Sequence, residues 1–141
     1  MNTAVKICLA ASGVYLLAGM LIGILKYRRT MTSVEHRAPV YVDIAHRAAL
    51  MYSFAALVMA KLLEYNSYPE SVQLGAAAVV LLFFTLTILG YLAHGIKDRT
   101  ENIFAERNFT TTWYMYALIA GEVAGFSFIL WGFLSTQVFT R

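Results

Sequence analysis

Apolar positions fall into four long blocks, separated by short polar stretches. Ile7–Leu25 ("ICLAASGVYLLAGMLIGIL") and Leu74–Ala93 ("LGAAAVVLLFFTLTILGYLA") contain no charged residue. Trp113–Leu134 contains one, Glu122, and Ile44–Leu63 carries His46, Arg47 and Lys61 near its ends. A bilayer core of about 30 Å is crossed by about 20 helical residues, and each block reaches that length. Backbone groups inside lipid must satisfy one another, which selects helices. The pattern predicts an all-α integral membrane four-helix bundle. It forms a single transmembrane domain over 1–141, with spans at about 5–26, 44–64, 73–94 and 112–134. The first block is followed directly by "KYRR", a stop-transfer pattern, so it reads as a retained span rather than a signal peptide.

Composition supports this reading. The chain is 60% hydrophobic and 13% charged, where soluble domains run near one half and one quarter. Charge then sets orientation. Lys26, Arg28, Arg29, Arg37, Arg47, Lys97, Arg99 and Arg107 fall on one side of the predicted spans. Only Lys6, Lys61 and Arg141 fall on the other. Basic residues favour the cytoplasmic side, so both termini are expected outside the cytoplasm of a multi-pass inner or plasma membrane protein. The net charge of +3 is then a topology signal, with membrane lipids as surroundings and no nucleic acid as partner.

Several chemistries lack their motifs. Cys8 is alone, which leaves no internal disulfide and no Cys-x-x-Cys pattern. There is no phosphate loop, no Gly-x-Ser-x-Gly and no Gly-x-Gly-x-x-Gly. "EYNSYPES" is a turn signal between the second and third spans, and Thr100–Thr112 reads as an interfacial segment.

Candidate chemistry therefore lies in polar residues within or beside the spans. His36 is in the first inner loop, His46 opens the second span and His94 closes the third. Antiparallel neighbours would bring His46 and His94 to one depth. Thr87, Tyr91 and His94 share a helical face by their spacing, as do Asp43, His46, Leu50 and Ser53. Tyr52 lies about 120° round from His46 and about 9 Å deeper. Each residue also has a plainer reading. A histidine at a span end is commonly solvated, Tyr91, Trp113 and Tyr114 suit an interfacial aromatic belt, and Asp43 suits a helix N-terminus.

Glu122 lies about 14 Å past Trp113 along a helix, near the predicted midplane. A charge there costs at least about 2.5–3.5 kcal/mol on insertion scales. Two readings fit it: a functional group, or a buried structural hydrogen bond. Gly19 with Gly23, and Gly121 with Gly125, are small-x-x-x-small pairs that permit close helix approach. They point to a homo-oligomer.

Three stretches carry a resemblance: "LLAGMLIGIL" in the first span, "AHRAALM" opening the second and "FILWGFL" ending the last. Here the chain resembles the small four-helix membrane isomerases of the styrene oxide isomerase and hydroxylaminobenzene mutase group. That resemblance implies a trimer holding haem b between subunits, with His46 as axial ligand and the iron as a Lewis acid on an epoxide or N-oxygenated substrate. On that reading Asp43 orients the His46 ring, Arg47 pairs a haem propionate, and His94 is the alternative ligand. Tyr52 stands where the family has an asparagine, and Tyr52 and Tyr91 are the candidate catalytic side chains. The chain is also similar, through "AHRAAL", "AKLLE" and "GYLAHG", to the membrane-associated eicosanoid and glutathione proteins. There Tyr91 replaces an arginine, and Ala48 and Met51 replace Asn and Glu.

The function expected on these grounds is an isomerase or mutase acting on an apolar substrate. Alternatives are a non-catalytic accessory subunit of a larger membrane complex, a glutathione-transferase-like membrane enzyme, and a small proton-coupled transporter using Glu122.

Overall fold

The computed structural model describes residues 2–139; Arg141, counted above among the basic residues, lies outside them. Four helices run up and down: α1 (Thr3–Thr32), α2 (Val40–Glu64), α3 (Glu70–Lys97) and α4 (Met115–Gln137), the last entered through a π-helical turn, Thr110–Tyr114. There is no strand among the described residues. All four helices are long and apolar enough to cross a membrane.

The helices overrun the predicted spans, most clearly at the end of α1. At about 1.5 Å per residue, its 30 residues measure about 45 Å. Helical hydrogen bonding continues past the last apolar turn through the polar stretch Lys26–Thr32, because those residues are good helix formers with water-accessible side chains. Pro39 and Pro69 start α2 and α3, at φ −51° and −52°. Their rings preset a helix-compatible φ, and their carbonyls accept from Val42 and Asp43, and from Val72 and Gln73. Asp98 ends α3 in the left-handed region at φ 46°, donating its N–H to His94 O at 3.0 Å.

α2 and α3 form the middle of the bundle. α2 packs against α1, α3 and α4, whereas α1 and α4 do not meet. The buried face of α2 is a run of small residues, Ala45, Ala49, Ser53, Ala56 and Ala60. Their spacing of three and four places them on one stripe. Small side chains let neighbouring backbones approach, which helps where the surroundings are as apolar as the core. Large apolar side chains instead point outward, among them Leu17, Met20, Leu21 and Ile24 of α1.

Both glycine pairs are used inside the chain. A Cβ at Gly19 or Gly23 would run into Leu50 or the His46 ring of α2, and one at Gly121 or Gly125 would run into Phe83 or Val80 of α3. These pairs fasten α1 to α2 and α4 to α3, so they carry no argument for an oligomer.

Polar bonds set the helix register at the end that holds the termini. Asn2 Oδ1 accepts from Val5 N as the cap of α1, and Asn2 Nδ2 donates to Gln73 Oε1 at 2.7 Å. Gln73 Nε2 donates to the carbonyls of Asn66 and Tyr68. Asn66 Nδ2 reaches Ile129 O in α4 at 3.1 Å. Gln73 is buried, and its amide has a partner on each side. One polar cluster thereby ties α1, α3, the 65–69 turn and α4 together. Further along, the Tyr15 hydroxyl donates to Leu81 O at 2.9 Å and bonds the Thr85 hydroxyl, joining α1 to α3.

Candidate functional site

Tyr52 lies at the middle of α2 and Glu122 near the middle of α4. The Tyr52 ring stacks on Phe84 of α3, centroids 3.9 Å apart and planes 11° from parallel. That contact fixes the phenol's direction. Its hydroxyl donates to Glu122 Oε1 at 3.5 Å, the outer limit for such a bond. Gly121 leaves room for the Phe83 ring just before Glu122, which draws this part of α4 against α3. Glu122 is half-buried. Tyr91 and Tyr114 also lie within its electrostatic reach. Of these phenols, Tyr52 is the one bonded to the carboxylate.

Tyr52 opens onto a chamber of about 120 Å³ between α2, α3, α4 and the α3–α4 connection. Its polar wall is Tyr52, Thr87, Tyr91, His94 and Tyr114; Leu86, Met115 and Leu118 supply apolar surface. Ile103 and Phe104 of the connection line it at the end nearest the loops, where it is partly open. Thr87, Tyr91 and His94 reach it together because positions three and four apart share a helical face. Typical ligand pockets are about 300–1,000 Å³, so this chamber suits a small molecule or part of one. Thr87 Oγ1 is buried with no hydrogen-bond partner among the described residues, and it approaches the Tyr52 phenol. An unsatisfied buried hydroxyl costs about 1–3 kcal/mol, which the approach to the Tyr52 phenol offsets in part.

The π-helical turn belongs to this site. Tyr114 N donates to Phe109 O at 3.1 Å, a bond five residues long. Thr110, Thr111 and Tyr114 of this turn all line the chamber. Single π turns concentrate at functional sites because the extra residue changes the helical phase of side chains that precede it.

His46 sits elsewhere, on the α1 side of α2. Its Nδ1 is 2.8 Å from Gly19 O, and its ring lies over Gly23, where a Cβ would stand 2.9 Å from the ring's Cε1. A carbonyl only accepts, so Nδ1 carries the proton and a neutral ring keeps its lone pair on Nε2. That is the tautomer a metal-binding imidazole needs, with its orientation fixed by the other nitrogen. Asp43 takes a different partner set from the expected one. Its oxygens accept from Lys26 Nζ at 2.6 Å and Arg47 at 2.9 Å, and Gly19 takes the orienting role toward His46. Arg47 is correspondingly engaged by Asp43.

The structure does not bring His46 and His94 together. His94 packs beside Tyr41, ring centroids 5.9 Å apart, while His46 faces α1. The reason is the close crossing at Gly95, which leaves no room for a Cβ against the backbone of Tyr41 and Val42. This sets Tyr41, not His46, opposite the end of α3. Among the described residues no group of three or more His, Cys, Asp or Glu collects into a metal cluster. Tyr41 gave no sequence signal of its own, since a tyrosine at a helix start reads as interfacial.

A wider open hollow of about 700 Å³ lies at the loop end, lined by Lys26, Arg29, His36, Arg37, Asp98 and Glu101 among others. His36 has φ 51° there. Its charges are mixed in sign, and four of the charged side chains are already paired, Lys26 with Asp43 and Arg37 with Glu35. The smaller chamber carries the more specific chemistry. Comparison with protein-family models, curated proteins and solved structures finds no match for this chain.

Proposed function

We propose that this chain is a small integral membrane enzyme of isomerase type that receives a compact apolar substrate with one oxygen-bearing group in the Tyr52–Tyr91 chamber. One observation carries this reading: the Tyr52 phenol, bonded to Glu122 and approached by the Thr87 hydroxyl, stands at the wall of the chamber. When a strained or weak bond to oxygen opens, negative charge grows on that oxygen. Hydroxyl donors aimed at it from Tyr52, Thr87 and Tyr91 stabilise that charge, and more strongly in a water-poor chamber. Isomerisation needs no net oxidant, so donors and a carboxylate that accepts from Tyr52 are a sufficient set of side chains. Tyr52 and Tyr91 are the proposed catalytic residues, and Glu122 positions Tyr52.

His46 is the residue that fits haem b, because its Nε2 keeps the lone pair while Gly19 holds Nδ1. Haem, when bound, supplies a Lewis-acidic iron. Arg47 stands at the same helix end, where its charge stays exposed. His46 and the chamber occupy different faces of α2, so the phenol chemistry and the haem ligand are separate features of one chain. The homo-oligomer, the plasma-membrane location and termini outside the cytoplasm belong to the same proposal.

The test is turnover of aryl epoxides and aryl hydroxylamines by protein purified from haem-supplied cells. Positioned proton donors contribute about 10²–10⁴-fold, so Tyr52→Phe is expected to lower kcat by about that factor with little change in KM. No turnover of either class by the parent protein rules out the isomerase reading. A second reading, a proton-coupled transporter, rests on Glu122 lying near the middle of a long apolar helix. Proton-dependent efflux abolished by Glu122→Gln would favour it.

A further inference from the structure

We propose that the α3–α4 connection is a hinged flap at the loop end of the partly open chamber and that Tyr41 is the latch that holds it against the helices. Tyr41 lies in the first turn of α2 and is 5% exposed. Its ring is stacked on Tyr91, centroids 6.0 Å apart, and leans on His94 at 5.9 Å. Both neighbours are chamber walls. Its hydroxyl accepts from the backbone N–H of Ile103 at 2.7 Å. Ile103 and Phe104 line the chamber at its loop end.

Among the described residues, the other hydrogen bonds of this connection are local. Thr100 bonds Asn102, Asn102 bonds Phe104, and Asn108 and Thr111 bond each other. Among the described residues, the Tyr41–Ile103 bond is therefore the connection's long-range polar tether. Apolar anchoring is slight. Phe104 is 48% exposed and Phe109 74% exposed. A segment with few buried contacts and one tether opens locally at low cost. The hinges are visible on either side: the left-handed Asp98 at the end of α3 and the π-helical turn that begins at Thr110. Opening leaves α2, α3 and α4 in place and admits a molecule from the loop side of the bundle, past His94. Tyr41 is a positioning residue, acting on access and not on the chemistry.

This inference rests on the chamber but needs neither turnover nor haem, so its test separates from that of the enzyme reading. A cysteine is placed at position 87 by Thr87→Cys, and the native, fully buried Cys8 is kept as an internal control. Labelling of both sites by N-ethylmaleimide is followed by mass spectrometry in detergent, with and without Tyr41→Phe. Phenylalanine keeps the ring contacts and removes only the hydroxyl. If labelling follows the open population, loss of one hydrogen bond raises the rate at position 87 by about tenfold, with Cys8 unchanged. An unchanged rate at position 87 overturns the latch. A parallel rise at Cys8 also overturns it, because that outcome reports general loosening of the bundle.

Discussion

The Tyr52 phenol and the Glu122 carboxylate meet at 3.5 Å, each near the middle of its helix. The Thr87 hydroxyl also approaches the phenol. The bond to Glu122 is long, and Tyr52 is held chiefly by stacking on Phe84. Its net contribution should therefore be near the low end for buried helix–helix hydrogen bonds, about 0.6 kcal/mol. A double-mutant cycle with Tyr52→Phe and Glu122→Gln, read by thermal unfolding in detergent, is expected to give a coupling of that size. Glu122→Leu should cost more than Glu122→Gln, because it leaves the phenol without its acceptor on α4. Coupling indistinguishable from zero would mean that the two groups do not meet.

The Asn66–Gln73 cluster is the bundle's polar staple at the end that holds the termini. Gln73→Leu removes an acceptor from Asn2 and a donor from two loop carbonyls. An expected loss of about 1–3 kcal/mol follows from leaving buried groups unpaired. Ser71→Ala, two residues before it, exposed and outside these bonds, is the control and should sit within about 0.5 kcal/mol of the parent. A Gln73→Leu protein as stable as the control would remove the cluster from the account of the fold.

Some of this was legible in the sequence and some was not. Block length and hydropathy are local properties, so four long apolar helices could be read directly. The shared face of Thr87, Tyr91 and His94 follows from helical spacing alone. Whether His46 and His94, expected at one depth, also meet does not follow, because depth along two helices says nothing about which face each presents. Gly95 against the backbone at Val42 fixes that crossing, and a lone glycine near a helix end carries no such message. Glycine pairs were equally ambiguous: the same spacing serves contact within a chain and between chains. The alanine stripe of α2 is visible in retrospect at intervals of three and four, yet it blends into a generally apolar span. Tyr41 is the clearest omission. Its role depends on a backbone N–H from a connection more than sixty positions later.

Orientation is tested independently of any chemistry. Eight of the eleven basic residues lie in or beside the first connection and the α3–α4 connection, which are at the same end of the bundle. Retention of basic connections in the cytoplasm places Ser33 inside. A cysteine at Ser33 should react with an impermeant maleimide only after the membrane is opened, and a reporter fused at the C-terminus should be active outside the cytoplasm. Labelling of intact cells at Ser33 would reverse the orientation of the whole bundle.

The His46 seat makes a prediction in two stages. Gly23 is the floor of that seat, and a Cβ there would press on the ring at 2.9 Å. Gly23→Ala should tilt the imidazole, lengthen the bond to Gly19 O and destabilise the chain by about 1–3 kcal/mol, as overpacking does. Gly13, which has open space around its Cβ position, provides the control, and Gly13→Ala should be neutral or slightly stabilising. The second stage concerns the ligand. If Nε2 of His46 binds haem iron, protein from haem-supplied cells shows a Soret band. That band is lost in His46→Ala, shifted in Gly23→Ala and unchanged in His94→Ala. Loss of the band in His94→Ala alone would move the ligand to the chamber wall, beside Tyr41 and Tyr91. A parent protein without Soret absorbance under those conditions would leave His46 as a helix-packing residue, held by Gly19 and Gly23 for the sake of the α1–α2 contact.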